Sequence, residues 1–200
     1  MFVNQGWVLT NKMSDASLVQ FVGGEDVTPS YYGHHPHPAT SNNEKRDLFE
    51  ALQFKAAEKL GLPMAGICRG AQFLNVMCGG ALWQHVENHG RGHMAEYVYN
   101  GSTQQQYVTS THHQMMIPAP IREDFDLLMV ATEGGRREKC NTSNHPRKII
   151  RVEPTEMNDV EALHYKRQRC FCFQPHPEME GANRLASLYF AFLAILFNLE

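Results

Sequence analysis

Pro63-Met64-Ala65-Gly66-Ile67-Cys68-Arg69-Gly70-Ala71-Gln72-Phe73-Leu74-Asn75-Val76-Met77 is the stretch whose reading decides the fold. Pro63 to Ile67 is a short apolar run of strand length, and Cys68-Arg69-Gly70 is a sharp corner. From Ala71 to Met77 the apolar Phe73, Leu74 and Met77 return on one helical face. Upstream, Asn42-Asn43 offers an N-cap to a helix carrying Leu48, Leu52, Lys55, Ala56 and Leu60 at helical spacing, and Gly61 stops it. Helix, strand, turn and helix in this order form one unit of an α/β protein with a parallel sheet.

Working outward, Leu18 to Val22 reads as a buried strand closed by Gly23-Gly24. Pro29, Tyr31-Tyr32-Gly33 and His34-His35-Pro36-His37-Pro38 exclude regular structure from the loop that follows. Further strands are expected at Tyr107–Ser110, Leu127–Ala131, Lys148–Val152 and Cys170–Gln174. An apolar helix, rich in Phe, is expected from about Ala182 to Leu199, through Leu185, Leu188, Tyr189, Phe192, Ile195 and Leu196. It reads as core, and its Phe content would also suit a homodimer interface. The chain shows no repeat and no low-complexity linker, and 200 residues are ample for one core but thin for two, so residues 1–200 read as one domain.

Composition narrows the function classes. Hydrophobic residues at 42% and charged residues at 20% describe a globular chain. Eighteen Lys and Arg against 21 Asp and Glu give a net charge of −3. That balance makes no electrostatic case for nucleic acid or an anionic membrane as partner. The longest apolar run, Tyr189 to Phe197, is about half the ~20 residues a membrane-spanning helix needs. No cationic-then-apolar leader opens the sequence. The 5 cysteines follow no framework spacing, so a reduced protein of the cytoplasm is the expectation. Eleven histidines are present, but neither they nor Cys170 and Cys172 show the paired spacing of a structural zinc site. No metal and no cofactor are therefore expected, and Cys170 and Cys172 should share one buried face of their strand. The basic stretch from Gly134-Gly135-Arg136-Arg137 to Arg147-Lys148 reads as a solvated loop.

Three segments carry candidate chemistry. Gly66-Ile67-Cys68-Arg69-Gly70 places a nucleophile-type residue in a strained strand-to-helix turn whose flanking positions leave no room for side chains. There the sulfur stands at a helix N-terminus, where the dipole and free N–H groups favour thiolate, and the N–H of Arg69 points toward an oxyanion formed beside Cys68. A small buried cysteine in a tight turn fits the same pattern. Pro175-His176-Pro177-Glu178 follows a strand. The prolines fix where His176 points, and Glu178 is placed to hold its second ring nitrogen. A Pro-rich turn with incidental polar groups fits equally. Gly23-Gly24-Glu25-Asp26 is either an ordinary strand-end turn or the backbone half of an oxyanion hole.

Taken in order, these segments resemble the class I glutamine amidotransferase-like superfamily, and within it the gamma-glutamyl hydrolase branch that includes gamma-glutamyl-gamma-aminobutyrate hydrolases. The resemblance runs from about Val22 to Glu178 and includes Gly79-Gly80-Ala81-Leu82-Trp83-Gln84 and Ser110-Thr111-His112-His113-Gln114. It implies a flavodoxin-like three-layer α/β domain, with a mostly parallel central sheet and helices on both faces. It implies Cys68 as nucleophile, His176 as general base and then acid, Glu178 as orienting carboxylate, and the N–H groups of Arg69 and Gly24 as the oxyanion hole. Gln72, Thr111, His112, His113 and Gln114 are similar to the residues that receive the glutamyl substrate.

Two departures stand out. Only 22 residues precede the Gly-Gly loop, where relatives carry a full first strand and helix, so that strand is expected to be missing or the start codon late. Glu25 stands where many relatives have a third glycine.

The resemblance implies a hydrolase that cleaves a gamma-glutamyl amide through a thioester. A glutaminase subunit passing ammonia to a separate synthetase or amidoligase chain would share the first half of that reaction. An inactive binding protein on the same fold would be expected to have a broken triad, and here Cys, His and Glu are all present.

Overall fold

A computed structural model describes residues 1–140, 148–152 and 159–199. The chain enters through two 3₁₀ turns, Phe2–Gln5 and Met13–Asp15, with Val8 and Leu9 exposed between them. The elements that follow are β1 (Val19–Phe21), α1 (Glu44–Lys59), β2 (Met64–Ile67), α2 (Arg69–Met77), β3 (Ala81–Trp83) and β4 (His85–Val86). Next come β5 (His93–Tyr99), β6 (Ser102–Val108), β7 (Met115–Ile117), β8 (Phe125–Ala131), β9 (Arg137–Cys140) and β10 (Ile149–Val152). The chain ends with β11 (Val160–Tyr165), β12 (Cys170–Phe173) and α3 (Asn183–Phe197).

The main sheet runs β1-β2-β12-β11-β8-β5-β6, with β3 and β7 attached through β11. Its parallel part is the group β1, β2 and β12, and every other pairing in it is antiparallel. The sheet is therefore mixed, and the mostly parallel sheet expected from the sequence is confined to those three strands. A small antiparallel sheet joins β4, β9 and β10.

Side-chain alternation in the three parallel strands builds two cores. Met64, Cys170 and Cys172 face α1 and α2, with Ala51, Phe54, Ala57, Phe73 and Leu74. Ala65, Ile67, Phe171 and Phe173 face α3, with Leu185, Tyr189, Phe192 and Leu193. The period-2 geometry of a strand dictates this division, and it puts both strand cysteines in one core, as their spacing predicts.

The helical face of α1 differs from the expectation. Leu48 and Leu52 are each 59% exposed, whereas Asp47, Ala51, Phe54 and Ala57 are buried. The cause is Asp47, which pairs with Arg69 of α2 and rotates the helix so that a charged position faces inward. The N-cap and stop hold: Asn43 accepts from the Arg46 N–H at 3.2 Å, and Gly61 takes a φ of +67°. The stretch from Gly134 to Lys148 is not wholly a solvated loop, because it contains β9 and buries Arg137 against Asp159. Residues 141–147 lie outside the described residues. No helix among the described residues is long and apolar enough to cross a membrane.

Candidate active site

Parallel neighbours end on the same edge of a sheet, and the loops leaving that edge meet. The turn after β1 is Gly23-Gly24, that after β2 is Cys68, and that after β12 leads to His176. The three candidate segments are thus brought together by strand pairing alone, across ladders that register Phe21 with Gly66 and Phe173 with Ile67.

Cys68 has a φ of +52°, in the left-handed region that a non-glycine residue rarely occupies, and it N-caps α2. Its neighbours show why the corner needs glycine. A Cβ on Gly66 would lie 2.4 Å from the backbone carbon and oxygen of Gly70. A Cβ on Gly70 would lie 2.3 Å from the carbonyl oxygen of Phe21. The first turn of α2 therefore packs directly on the backbones of β1 and β2, and the elbow is fixed by contact. Below it, the buried Arg69 side chain pairs with Asp47 and Glu50 of α1. Burial, with the neighbouring Arg46, pushes its guanidinium down to about 10 against the raising effect of Asp47 and Glu25, so it stays a cation at neutral pH.

His176 Nδ1 is 2.7 Å from Glu178 Oε1. Contact with Cys68 first and Glu178 second pushes the imidazole up to about 10, against the opposing effect of burial. Those contacts favour the charged form of the imidazole, which stands between the Cys68 sulfur and the Glu178 carboxylate. Its other nitrogen, Nε2, is 3.0 Å from Thr111 Oγ1.

Two supports escaped the sequence reading. Thr109 Oγ1 accepts from the His176 N–H at 3.0 Å and donates to its carbonyl at 2.8 Å, clamping the histidine backbone. Arg46 donates to the carbonyls of Val22 and Gly23 at 3.0 and 2.9 Å and pins the Gly-Gly loop. Gly24 has a φ of +146°, which favours glycine, and a Cβ there would displace Arg46 Nη1. Arg46 had one readable signal, Glu50 four residues on, while Thr109 had none.

Gly24, Cys68, Arg69, Gln72, Thr111, His112, His113, Gln114 and His176 line one cleft of about 270 Å³, with Glu178 behind the histidine. Gln72 donates to the Gln114 carbonyl at 3.1 Å and to the Gln174 side-chain oxygen at 3.2 Å. Both amide atoms of the Gln114 side chain are buried without a hydrogen-bond partner among the described residues. His113 Nε2 is 3.1 Å from Asp26 Oδ1, and the Asp26 carboxylate raises the imidazole above its ordinary value. His112 contributes to the wall, but its ring stacks on His89 behind it, with centroids 5.0 Å apart. A larger open hollow, about 1120 Å³, runs along residues 1–22 and reaches Gly23 and Glu178.

The chain is similar to known proteins in sequence and in fold. A glutamine amidotransferase-like protein of Rickettsia prowazekii is 33% identical over 111 residues, which cover 55% of this chain and 38% of that protein. A glutamine amidotransferase-like protein of Lactococcus lactis subsp. cremoris is 43% identical over 79 residues, 39% of this chain and 42% of its own. The chain thus aligns with about two fifths of the length of each.

Among solved structures, a glutamine amidotransferase from Thermotoga maritima superposes with a TM-score of 0.56 at 16% identity, covering 96% of this chain and 70% of that one. A protein of Thermoplasma acidophilum described as a GMP synthase subunit gives 0.58 at 17% identity, covering 92% and 74%. Both share the α/β fold. The sequence model of the peptidase C26 family matches residues 8–178, and the chain belongs to that family, within the class I glutamine amidotransferase-like superfamily.

Proposed function

We propose that this chain, folded as one three-layer domain over residues 1–200, is a cysteine-dependent hydrolase that cleaves a gamma-glutamyl amide through a gamma-glutamyl thioester. The observation that carries the reading is the juxtaposition, in one cleft, of Cys68 on a strained elbow at φ +52° with His176, whose Nδ1 is 2.7 Å from Glu178. Cys68 Sγ attacks the side-chain carbonyl, and the carbonyl electrons move onto oxygen, which the backbone N–H groups of Arg69 and Gly24 receive. His176 gives its proton to the leaving amine as the carbon–nitrogen bond breaks, which leaves the thioester. Water then gives a proton to His176 and attacks the thioester, and the Cys68 thiolate departs with release of glutamate. Glu178 holds the imidazole in position through Nδ1.

The cleft supports a glutamyl group by its chemistry. The side-chain amide of Gln114, whose polar atoms have no hydrogen-bond partner among the described residues, offers a donor and an acceptor in its wall. The Asp26 carboxylate and the His113 imidazole stand beside it, groups suited to an alpha-amino and an alpha-carboxylate group. Gln72 and Thr111 complete the wall. The test is glutamate release by the purified chain alone from gamma-glutamyl amines, gamma-glutamyl peptides and glutamine. Repeated turnover on amines supports the free hydrolase, and absence of glutamate from every substrate refutes it.

A second reading, a glutaminase subunit that delivers ammonia to a synthetase chain, draws on the shared fold with the protein described as a GMP synthase subunit. Leu48, Phe49 and Leu52 form an exposed apolar row on α1, the helix that braces the elbow, which suits a partner chain or a second copy. Activity on glutamine that appears only when a synthetase chain is added would favour this reading. The charge balance and the described helices give no reason to add nucleic acid or a membrane as partner.

A further inference from the structure

Histidines that obey no spacing rule in the sequence meet in space. His89 follows β4, His112 lies in the loop after β6, and Glu161 is in β11. Each offers a ligand atom within 4.8 Å of the others, behind the wall that His112 lends the cleft. All three residues are more than nine-tenths buried.

The direction of each side chain separates this cluster from an ordinary buried network. His112 Nδ1 is 2.8 Å from the carbonyl oxygen of Gln114. A nitrogen facing a carbonyl oxygen carries the hydrogen, so Nε2 of His112 bears the lone pair. His89 Nε2 is 2.9 Å from Asp159 Oδ2, and Arg137 Nε holds the other oxygen of that carboxylate at 2.6 Å. A carboxylate at Nε2 fixes the hydrogen there and leaves Nδ1 free to donate its electrons. His93 Nε2 is 2.8 Å from Glu161 Oε1, which leaves Oε2.

Among the described residues, no hydrogen-bond partner satisfies His112 Nε2, His89 Nδ1 or Glu161 Oε2. His89 Nδ1 stands 3.6 Å from Glu161 Oε1, too far for a hydrogen bond. Two imidazole nitrogens and a carboxylate oxygen thus face one another, none with a hydrogen-bond partner among the described residues.

We infer that His89, His112 and Glu161 bind one divalent transition-metal ion of the zinc class, through Nδ1, Nε2 and the carboxylate. Two imidazoles and a carboxylate suit zinc, which accepts three protein ligands and a water. Tetrahedral ligands at zinc distances lie about 3.3 Å apart, so small side-chain rotations close the present spacing. Asp159, the Gln114 carbonyl and His93 orient the ligands. The ion would staple three distant segments together and so fix the loop that carries Thr111 and Gln114 to the cleft. The inference revises the expectation of no metal, and it stands whether or not the proposed reaction is correct.

The test uses the full chain, stripped with a chelator and titrated with Zn²⁺ alone and with Co²⁺ alone. One ion per chain is expected, with a melting temperature that rises with Zn²⁺ concentration. Asp159→Asn should weaken binding about 10- to 100-fold, and His89→Gln and Glu161→Gln should weaken it further. Cys68→Ala should bind as the unaltered chain does.

Failure of the unaltered chain to take up Zn²⁺ in large excess would overturn the inference and leave a hydrogen-bonded histidine cluster. Unchanged affinity in Glu161→Gln, or loss in Cys68→Ala, would also overturn it. Should the ligand variants not fold, the Co²⁺ spectrum decides: nitrogen and oxygen ligation supports the site, and an intense thiolate-to-cobalt band overturns it.

Discussion

Two of the ionic clusters buried among the described residues follow opposite rules. Under the elbow, Arg69 lies between Asp47 and Glu50, and Asp47 also takes the Thr28 N–H at 2.9 Å and the Thr28 hydroxyl. One cation meets two anions, and of the guanidinium nitrogens Nε alone lacks a partner among the described residues. Behind the cleft wall, His89, His112 and Glu161 turn unshared electrons toward each other. The first cluster is closed by protein atoms and acts as a brace, whereas the second is complete only with a cation. Burial alone therefore does not tell a brace from a binding site; the orientation of the remaining lone pairs does.

The largest test of this contrast is Arg69→Ala. It leaves the Asp47 carboxylate buried without its cation, while Glu50 keeps Arg46, so urea unfolding should show a loss of about 3–5 kcal/mol. A loss near zero would mean that the brace is solvated. Gly70→Ala comes next. Its Cβ would press on the Phe21 carbonyl at 2.3 Å, so unfolding should show a cost of about 1–3 kcal/mol. Activity should fall more than stability does, because the elbow must shift to make room. Unchanged turnover would show that the elbow is not held by this contact.

The third test is pH dependence. His176 is raised from its ordinary 6.5 to about 10, so its imidazolium favours the folded state fully below 6.5 and ceases to do so as the pH rises through about 10. Both kcat/KM and stability should therefore decline on that alkaline side. Glu178→Gln removes one of the raising contacts, so the alkaline limb should move to lower pH, with a smaller loss of rate than removal of Cys68 causes. An unmoved limb in that variant would separate Glu178 from the histidine. The smallest effect belongs to Glu161→Gln in the metal-free chain. It removes a charge that the metal-free protein does not fully pair and keeps an acceptor for His93, so stability should change by less than about 1 kcal/mol. A loss as large as that of Arg69→Ala would make the second cluster a brace like the first.

The sequence made the elbow readable because its signals are local. Strand, corner and helix lie within 15 residues, and the glycines that permit the corner sit two positions either side of Cys68. The β5–β6 hairpin was far less readable. Ser102–Val108 is mostly exposed and rich in Gln, so no apolar alternation marks its length. β9 is largely charged and β7 has 3 residues, too few for a period to show. On α1 the apolar spacing pointed to Leu48 and Leu52, but the partner of the inward face is the Arg69 guanidinium, and a hydrophobic pattern carries no information about it. The histidine cluster was hidden for a similar reason: residues 89, 112 and 161 are spaced by the sheet and not by the chain.

The most direct measurement is intact-mass analysis of the chain quenched in acid during turnover of a gamma-glutamyl amine. One glutamyl adduct is predicted, localised to Cys68, absent in Cys68→Ala and persisting in His176→Asn, where the second proton transfer is blocked. Near-normal turnover by Cys68→Ala, or an adduct on Cys78, Cys140, Cys170 or Cys172 in its place, would contradict the account.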